Sequence, residues 1–496
     1  MKIAIVGAHG VGKTSLAKGL ANELNLPIIH DVAIEAFEKG FEINENTPPE
    51  NQFWLFSRQL EEEKLTSEFI ADKCLMDYTV YADIIFDDDR LKSLLSEMIY
   101  KNVEYTHVFY LPIEFAIEDN GIRSLDQEFQ RKIDERYKNL LDKWDIKYET
   151  LSGGVDQRVE RAVEHIKKKN KKVLVVGGAG YIGSHVTKEL FDSGYQTVVF
   201  DNLSTGSVDN IVDGVDFIEG DIKDYSQIRG ALDGVDTIIH LAAYKAAGES
   251  MINPEKYAVN NITGTINLLN AASDKGIKNI IFSSSAAVYG EPQYLPIDEN
   301  HPTEPINFYG YTKLEIERLL KWYSKLKGIN FAALRYFNAV GYDVDGRVKG
   351  LEKNPANLLP IIMEVLTGER DHLDVYGDDY DTPDGTCVRD YIHVNDLADA
   401  HVKALEYISS NNKNLTVNLG TSNGLSVLEI INEVKNIFEN SFDVKISPRR
   451  PGDPPKLLAD SSKAFELIGW RARYSDIETI IRTMLDAYGI ESLNIT

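Results

Sequence analysis

The stretch Lys172-Val-Leu-Val-Val-Gly-Gly-Ala-Gly-Tyr-Ile-Gly-Ser184 decides the fold of most of this chain. Val173 to Val176 is an apolar run that reads as a strand. Gly177, Gly178, Gly180 and Gly183 follow, with Tyr181 and Ile182 between the last two. Helix-like sequence comes next, Ser184-His-Val-Thr-Lys-Glu-Leu-Phe191. Glycine is needed where backbone must approach a pyrophosphate and where a helix must pack tightly on a strand. A helix N-terminus there offers free N–H groups and the positive end of a dipole. A second apolar strand ends at Asp201, followed by Asn202. An acid at that point can accept both ribose hydroxyls of an adenosine and repels a 2′-phosphate, so the pattern predicts NAD and not NADP.

Outward from this stretch, strands and helices alternate toward the C-terminus. Val215 to Ile222 reads as a strand carrying Asp221, an acid placed to meet the adenine amine. Val235 to Ala243 is the fourth strand, and Leu241 and Ala242 at its end let a cofactor lie against backbone. Lys278 to Ser285 is the fifth. Parallel strands with crossover helices predict a doubly wound α/β sheet with ligands at the strands' carboxyl ends.

The chemistry is expected where Ser285 ends the fifth strand and Tyr309-Gly-Tyr-Thr-Lys313 opens a helix. Tyr309 and Lys313 are i and i+4, hence on one face. A nearby ammonium favours a phenolate, so Tyr309 is expected to act as a base near neutral pH. Lys313 can also reach a nicotinamide ribose. Tyr311 is off that face and is read as packing or surface.

A second phosphate-binding pattern stands at the other end of the chain. Gly7-Ala-His-Gly-Val-Gly-Lys-Thr14 matches Gly-x4-Gly-Lys-[Ser/Thr], with a strand before it and an amphipathic helix after it. The expected ATP contacts are Gly7, Gly10, Gly12, Lys13 on the β/γ oxygens and Thr14 on Mg²⁺. His9 reads as loop filler. Cys74-Leu-Met-Asp77 reads as a short buried strand whose acid, Asp77, holds Mg²⁺ through water or orients an acceptor hydroxyl. Glu118 to Arg123 and the charged helix after it suggest a lid, with Arg123 and Arg131 as the arginines that close over a transferring phosphoryl group. Tyr148 to Gly154 and the helix Val155 to Lys169 close this part. The basic run Lys167 to Lys172 reads as a solvated linker, so the expected division is 1–168 and 169–496.

The totals fit that division. With 496 residues there is room for at least two cores, and a net charge of −25 argues against nucleic acid or an anionic membrane as partner. Two cysteines, Cys74 and Cys387, give no disulfide framework and suit a reducing cytosol. A strand begins at Lys2 with no basic leader, and no apolar run is long enough for a membrane span; a cytoplasmic enzyme is expected.

Residues 172 to about 490 resemble the UDP-glucose 4-epimerase family of extended short-chain dehydrogenases/reductases. The resemblance rests on the glycine stretch through Gly183, Asp201-Asn202-Leu203, Lys245 to Ser250, Asn260-Asn261, Ser283 to Ser285, Tyr309-x3-Lys313, Arg335 to Asn338, Asn357-Leu358, Arg389 to His393 and Arg449 to Asp453. It implies NAD contacts from Lys245, Asn260, Tyr336 and Phe337. It implies that Asn338, Asn357, Leu358, Arg389, Arg450 and Asp453 hold a UDP-hexose, together with Lys245, Ser285 and Tyr309. Val176 and Ala339 stand where the family usually carries Thr and Pro. Leu457 stands where some relatives place a Tyr over the sugar's C2 substituent. Sister dehydratases carry acids after the hydroxyl of strand five, and Ser285-Ala-Ala-Val-Tyr289 has none. A homodimer is implied through Lys256 to Ser273 and the Tyr309 helix.

Residues 1 to about 168 resemble P-loop nucleoside kinases, ribosylnicotinamide kinases among them. That resemblance implies ATP, Mg²⁺ and a nucleoside or other small-molecule acceptor. A departure falls at Asp77-Tyr78-Thr79, where such kinases often carry an Asp-Arg pair. Two readings stay open for this part, a kinase or a non-catalytic nucleotide-binding module. For the larger part another NAD-dependent nucleotide-sugar epimerase is the alternative.

Overall fold

In the computed structural model the described residues are 1–41, 47–115, 127–352, 355, 357–438, 441–450 and 453–490. They pack as two compact units, Met1–Lys168 and Lys169–Thr496. Within the basic run the helix ends at Lys169 and the next strand begins at Lys172, as expected.

The first unit is a five-stranded parallel sheet. Its strands are β1 (Lys2–Val6), β2 (Ile28–Ile29), β3 (Phe69–Ala71), β4 (His107–Tyr110) and β5 (Glu149–Thr150), in the order β2-β3-β1-β4-β5. Strand β1 is central and buried on both faces, which its run of Ile, Ala, Ile and Val requires. The P-loop leaves its carboxyl end and enters the helix Lys13–Leu24. The short strand expected at Cys74–Asp77 is not there. β3 ends at Ala71, Cys74 is the N-cap residue of the helix Leu75–Ile85, and Asp77 lies in its first turn. A Cys-x-x-Asp capping pair explains the difference: the Asp77 carboxylate accepts from the Cys74 N–H at 2.9 Å.

The second unit holds a seven-stranded parallel sheet in the order β15-β11-β10-β9-β6-β7-β8. In chain order these strands are β6 (Lys172–Val176), β7 (Gln196–Asp201), β8 (Asp216–Glu219), β9 (Thr237–His240), β10 (Asn279–Ser285), β11 (Asn330–Tyr336) and β15 (Leu415–Leu419). The chain runs from β6 outward to β8, then returns to β9 and runs the other way, so a crevice opens at the carboxyl ends of β6 and β9. Two apolar clusters cover the two faces of this sheet. A third forms a smaller subdomain around Leu359, Ile362, Ile430, Ile480 and Met484. That subdomain carries β12 (Asn338–Val340), β13 (Leu373–Tyr376), β14 (Val388–His393), β16 (Gly424–Ser426), β17 (Val444–Ser447) and β18 (Lys456–Leu457). β14 is its hub, pairing with β12, β16 and β18. The fold is α/β throughout, as expected. Among the described residues no helix is long and apolar enough to cross a membrane.

Candidate functional site

The glycine loop after β6 is shaped by packing. Gly177 has φ +86°, and a Cβ there would come 2.6 Å from the Ala242 nitrogen. A Cβ on Gly183 would overlap the Gly177 carbonyl oxygen, so the helix Tyr181–Asp192 lies directly on the turn. Gly180 differs: its Cβ would meet only the Gly177 oxygen, at 3.4 Å, and no side chain caps the helix it precedes. The first N–H groups of that helix, at Tyr181, Ile182 and Gly183, therefore face an uncapped end suited to a pyrophosphate. Leu241 and Ala242 donate to the Val176 carbonyl at 2.8 and 3.0 Å and form the opposite wall.

Asp201 closes this loop from β7. Its carboxylate accepts from Ala179 N at 3.0 Å and Leu203 N at 2.8 Å. Burial raises its pKa and these N–H groups oppose the rise. Asp221 accepts from the Asn202 amide at 3.0 Å and from Lys223 N at 2.8 Å. Burial works to raise its pKa, but those donors and the Lys223 ammonium outweigh it and the net shift is downward. Ile222 is buried beneath Gly264. Asn260 is buried in a π-helical turn, Ala258–Thr263, of the kind that collects at functional sites. Its neighbour Asn261 ties the loop after β9 to the Tyr309 helix, accepting from Tyr244 N and donating to Tyr244 O and Thr312 Oγ1.

Ser285, Tyr309 and Lys313 come together at the end of β10. Asn307 caps the helix Phe308–Lys327, and Ser250 Oγ accepts from Tyr309 N at 3.0 Å. Lys313 Nζ donates to the Ser283 carbonyl at 2.7 Å and lies 5.8 Å from the Tyr309 ring centre. The expected depression of the Tyr309 pKa is not found in the chain itself. Burial pushes the phenol up to about 12, with a Ser285 hydrogen bond opposing. Burial likewise pushes Lys313 down to about 7. At this range the ammonium's pull on the phenol is smaller than the cost of a buried charge.

Sequence reasoning missed what holds this pair in place. Glu317, one turn beyond Lys313, is fully buried and takes two bonds from Arg335, at 2.8 and 2.6 Å, and one from Ser284 Oγ at 2.6 Å. Arg335 also donates to the Tyr289 hydroxyl at 2.9 Å, which donates to Asn418 at 2.6 Å. His401 anchors Ser283: its Nδ1 faces the Leu397 carbonyl, which can only accept, so Nε2 accepts from the Ser283 hydroxyl at 2.8 Å. Burial lowers the His401 pKa to about 4, which keeps that neutral form. The spacing Lys313/Glu317 was the available signal.

Tyr336 ends β11 beside Ser285, and Phe337 is buried next to it. Asn338 donates to the Asp390 carbonyl at 3.0 Å. Asn357 is the N-cap residue of the helix Leu358–Leu366 and makes no side-chain cap bond. Arg389, Arg450 and Asp453 converge: Asp453 lies 3.6 Å from Arg389 and 3.7 Å from Arg450, and Arg450 stacks 4.2 Å over Tyr376. Leu457 is the register partner of Arg389 on β18 and packs on the cluster of Ala286, Phe337 and Ala459. Lys245 pairs with Glu352 at 2.5 Å.

In the first unit Gly7, Gly10 and Gly12 take φ of +138°, +78° and +94°. Lys13 Nζ donates to the Gly7 and Ala8 carbonyls at 2.5 and 3.1 Å. Thr14 Oγ1 donates to Asp72 at 3.1 Å. Asp72, directly after β3, is therefore the acid at a strand's end, the place expected for Asp77. Asp77 is buried with one oxygen 3.8 Å from Lys13 Nζ. The segment Phe69-Ile-Ala-Asp72 carried that signal. Arg158, also missed, is buried against the loop, donating to Val11 O at 2.6 Å and Glu114 at 2.9 Å. Arg131 is exposed on the helix Gln127–Lys143, and Arg123 lies outside the described residues. The His9 carbonyl accepts from Gln130 at 2.7 Å, consistent with a structural place in the loop.

Residues 173–420 match the model of the NAD dependent epimerase/dehydratase family. A UDP-glucose 4-epimerase of Lacticaseibacillus casei is 46% identical over 315 residues, 63% of this chain and 95% of that protein. The chain belongs to the NAD dependent epimerase/dehydratase family. Among solved structures of the family, a UDP-glucose 4-epimerase from Brucella ovis in complex with NAD is 47% identical with a TM-score of 0.63, covering 65% of this chain and 99% of that one. One from Bifidobacterium longum in complex with NAD⁺ and UDP is 39% identical with a TM-score of 0.61, covering 64% and 98%. Residues 2–158 match an AAA domain model, which fits the P-loop and its parallel sheet.

The epimerase/dehydratase unit depends on its buried ion pair. Arg335→Met leaves Glu317 charged and unpaired, and losing one partner of such a pair costs about 3–5 kcal/mol. The expected result is a lower melting temperature for this unit, with Glu317→Gln/Arg335→Met recovering part of the loss.

Proposed function

We propose that residues 169–496 interconvert UDP-glucose and UDP-galactose with NAD as resident cofactor. The convergence of Ser285, Tyr309 and Lys313 beside the glycine cradle carries this reading. The cradle fits NAD on two counts: the uncapped helix end beside Gly180, and Asp201 fixed by backbone N–H groups where a ribose would be held. NAD, when bound, supplies reversible acceptance of the sugar's C4 hydrogen as hydride, leaving a transient 4-ketone. Tyr309 takes the C4 hydroxyl proton and returns it, and Ser285 orients that oxygen. Lys313, bound to the Ser283 carbonyl, adds positive charge beside the phenol and favours its ionised form. Arg389 and Arg450 grip the UDP pyrophosphate. Inversion follows when the ketone presents its other face. Tyr309→Phe removes the proton acceptor and is expected to lower turnover of UDP-galactose by about 10²–10⁴-fold while NAD stays bound. Near-parental turnover would show that another group takes the proton.

The sugar pocket is read as open enough for the N-acetyl hexoses. Leu457 faces the same cluster as Ala286 and Phe337 and is smaller than a tyrosine. Shape discrimination of this kind is worth about 1–3 kcal/mol. Leu457→Tyr should shift kcat/KM toward UDP-glucose and away from UDP-N-acetylglucosamine; an unchanged ratio, or a parent inert to the N-acetyl pair, defeats the pocket argument.

We infer that residues 1–168 bind ATP with Mg²⁺ and transfer phosphate to a nucleoside or other small molecule. Three features support it: the P-loop, Lys13 within it, and Thr14 bonded to Asp72, a pair suited to Mg²⁺ and its water. Asp77, 3.8 Å from Lys13 Nζ, would be the acid that orients an acceptor hydroxyl. Lys13→Ala is expected to abolish ATP-dependent turnover across a nucleoside panel and to leave epimerisation within a few-fold. If epimerisation falls as well, the unit is a regulatory module instead.

A homodimer through the epimerase unit in the cytoplasm completes the reading. Tyr311, Trp322 and Leu326 are exposed at 41%, 58% and 68%. Their spacing puts them on one face of the Phe308–Lys327 helix, away from the buried Lys313 and Glu317.

A further inference from the structure

The segment Asp343–Glu352 belongs to neither wall of the proposed cofactor groove, yet it is fastened to both. It follows β12 and is tied down at its start. The fully buried Asp343 carboxylate lies 3.1 Å from Lys188 Nζ, on the helix Tyr181–Asp192, and accepts from Arg347 N at 2.7 Å. Lys188 also pairs with Asp345 at 2.6 Å, and Arg347 pairs with Asp192 of the same helix. Further along, Gly350 lies on Asn210 so closely that a Cβ would overlap the Asn210 amide. That amide donates to the Ala179 carbonyl at 2.9 Å, inside the glycine loop. At the far end the Glu352 N–H donates to the Tyr342 hydroxyl at 3.2 Å, and the Glu352 carboxylate holds Lys245 Nζ at 2.5 Å. Lys245 follows Leu241 and Ala242 on the opposite wall.

We propose that Asp343–Glu352 is a strap that retains NAD, with Glu352 as a positioning residue acting through Lys245; this rests on the NAD reading of the second unit. The strap joins the glycine loop, through Asn210, to the loop after β9, through Lys245. Parting the two walls requires breaking the Glu352–Lys245 pair and lifting Gly350 off Asn210. The chemistry gives such a strap a use. Hydride taken from the sugar is returned to it, so release of the dinucleotide has no place in the cycle and slow release keeps the enzyme charged. The absence of a side chain at residue 350 lets the segment lie flat on Asn210. The Glu352 side chain is 12% exposed and that of Lys245 53%, so the pair is anchored from the buried carboxylate side and open to solvent at the ammonium.

The test uses the full chain loaded with isotopically labelled NAD and chased with excess unlabelled NAD, following label release over time. Glu352→Gln replaces a charged hydrogen bond with a weaker neutral one, and release should quicken by about ten- to a hundredfold. Gly350→Ala, which displaces Asn210, should quicken it too. Lys349→Ala, an exposed neighbour in the same segment, should release at the parental rate. At saturating NAD the turnover of UDP-galactose by both strap variants should stay within a few-fold of the parent, which separates cofactor retention from catalysis. Should Glu352→Gln fail to fold, Gly350→Ala and Arg347→Ala carry the test. Parental release rates in the folded strap variants overturn the proposal, as does equal quickening by Lys349→Ala. A parent that binds no NAD overturns the cofactor reading itself, a result recognisable because no label is retained from the start.

Discussion

The contact of Gly183 with the Gly177 carbonyl sets the geometry of the whole second unit. No Cβ fits between them, so the helix Tyr181–Asp192 starts directly against the turn that ends β6. Three consequences follow from that closeness. The helix's free N–H groups end up at the crevice between β6 and β9. The Asp201 carboxylate reaches the Ala179 N–H and pins the loop to β7. Lys188, two turns along, is brought under Asp343, where the segment after β12 is fastened to that helix. A side chain at residue 183 would move all three at once.

Burial does the second piece of work. Lys313 is buried and Tyr309 is half-buried, and desolvation disfavours the charged form of each. In the chain itself their mutual attraction does not offset that cost. Their positions must therefore be fixed by something other than their own attraction. Glu317 and Arg335 supply it below the pair, and His401 supplies it behind Ser283. These groups touch no expected ligand, yet they hold the helix and the strand end in register.

The sequence was legible where local chemistry and backbone shape coincide. Glycines at 177, 180 and 183, the acid at 201 and the Tyr-x3-Lys spacing each need only neighbours a few residues away to be understood. The parallel, doubly wound sheet followed from alternation. The reading failed where a partner lies far along the chain. The Glu317–Arg335 pair spans two elements, and Lys245 meets Glu352 across more than a hundred residues. Asp77 was misplaced for a different reason. The run Cys74-Leu-Met is apolar enough for a strand, but the cap formed by the Asp77 carboxylate on the Cys74 N–H turns it into a helix start, and the shorter strand Phe69–Ala71 delivers Asp72 instead. For Tyr309 the pattern shows the ammonium nearby but not the desolvation that, in the chain itself, pushes the phenol the other way.

The two glycine loops of this chain solve the same problem in ways that suit different tasks. Both present backbone N–H groups from a turn that only glycine can make. The loop after β6 adds no charged side chain of its own, and Asp201 and Asn210 act on it only through hydrogen bonds to Ala179. Neutral donors of this kind suit a pyrophosphate whose charge does not change while the enzyme works. The loop after β1 folds an ammonium into its centre, with Lys13 on the Gly7 and Ala8 carbonyls, and places Asp72 on the Thr14 hydroxyl. A point charge and an acid facing a hydroxyl that could ligate a metal would suit a phosphate whose charge is redistributed as a bond breaks. Under the readings proposed above, that contrast would suit turnover in the first unit and retention of the dinucleotide in the second.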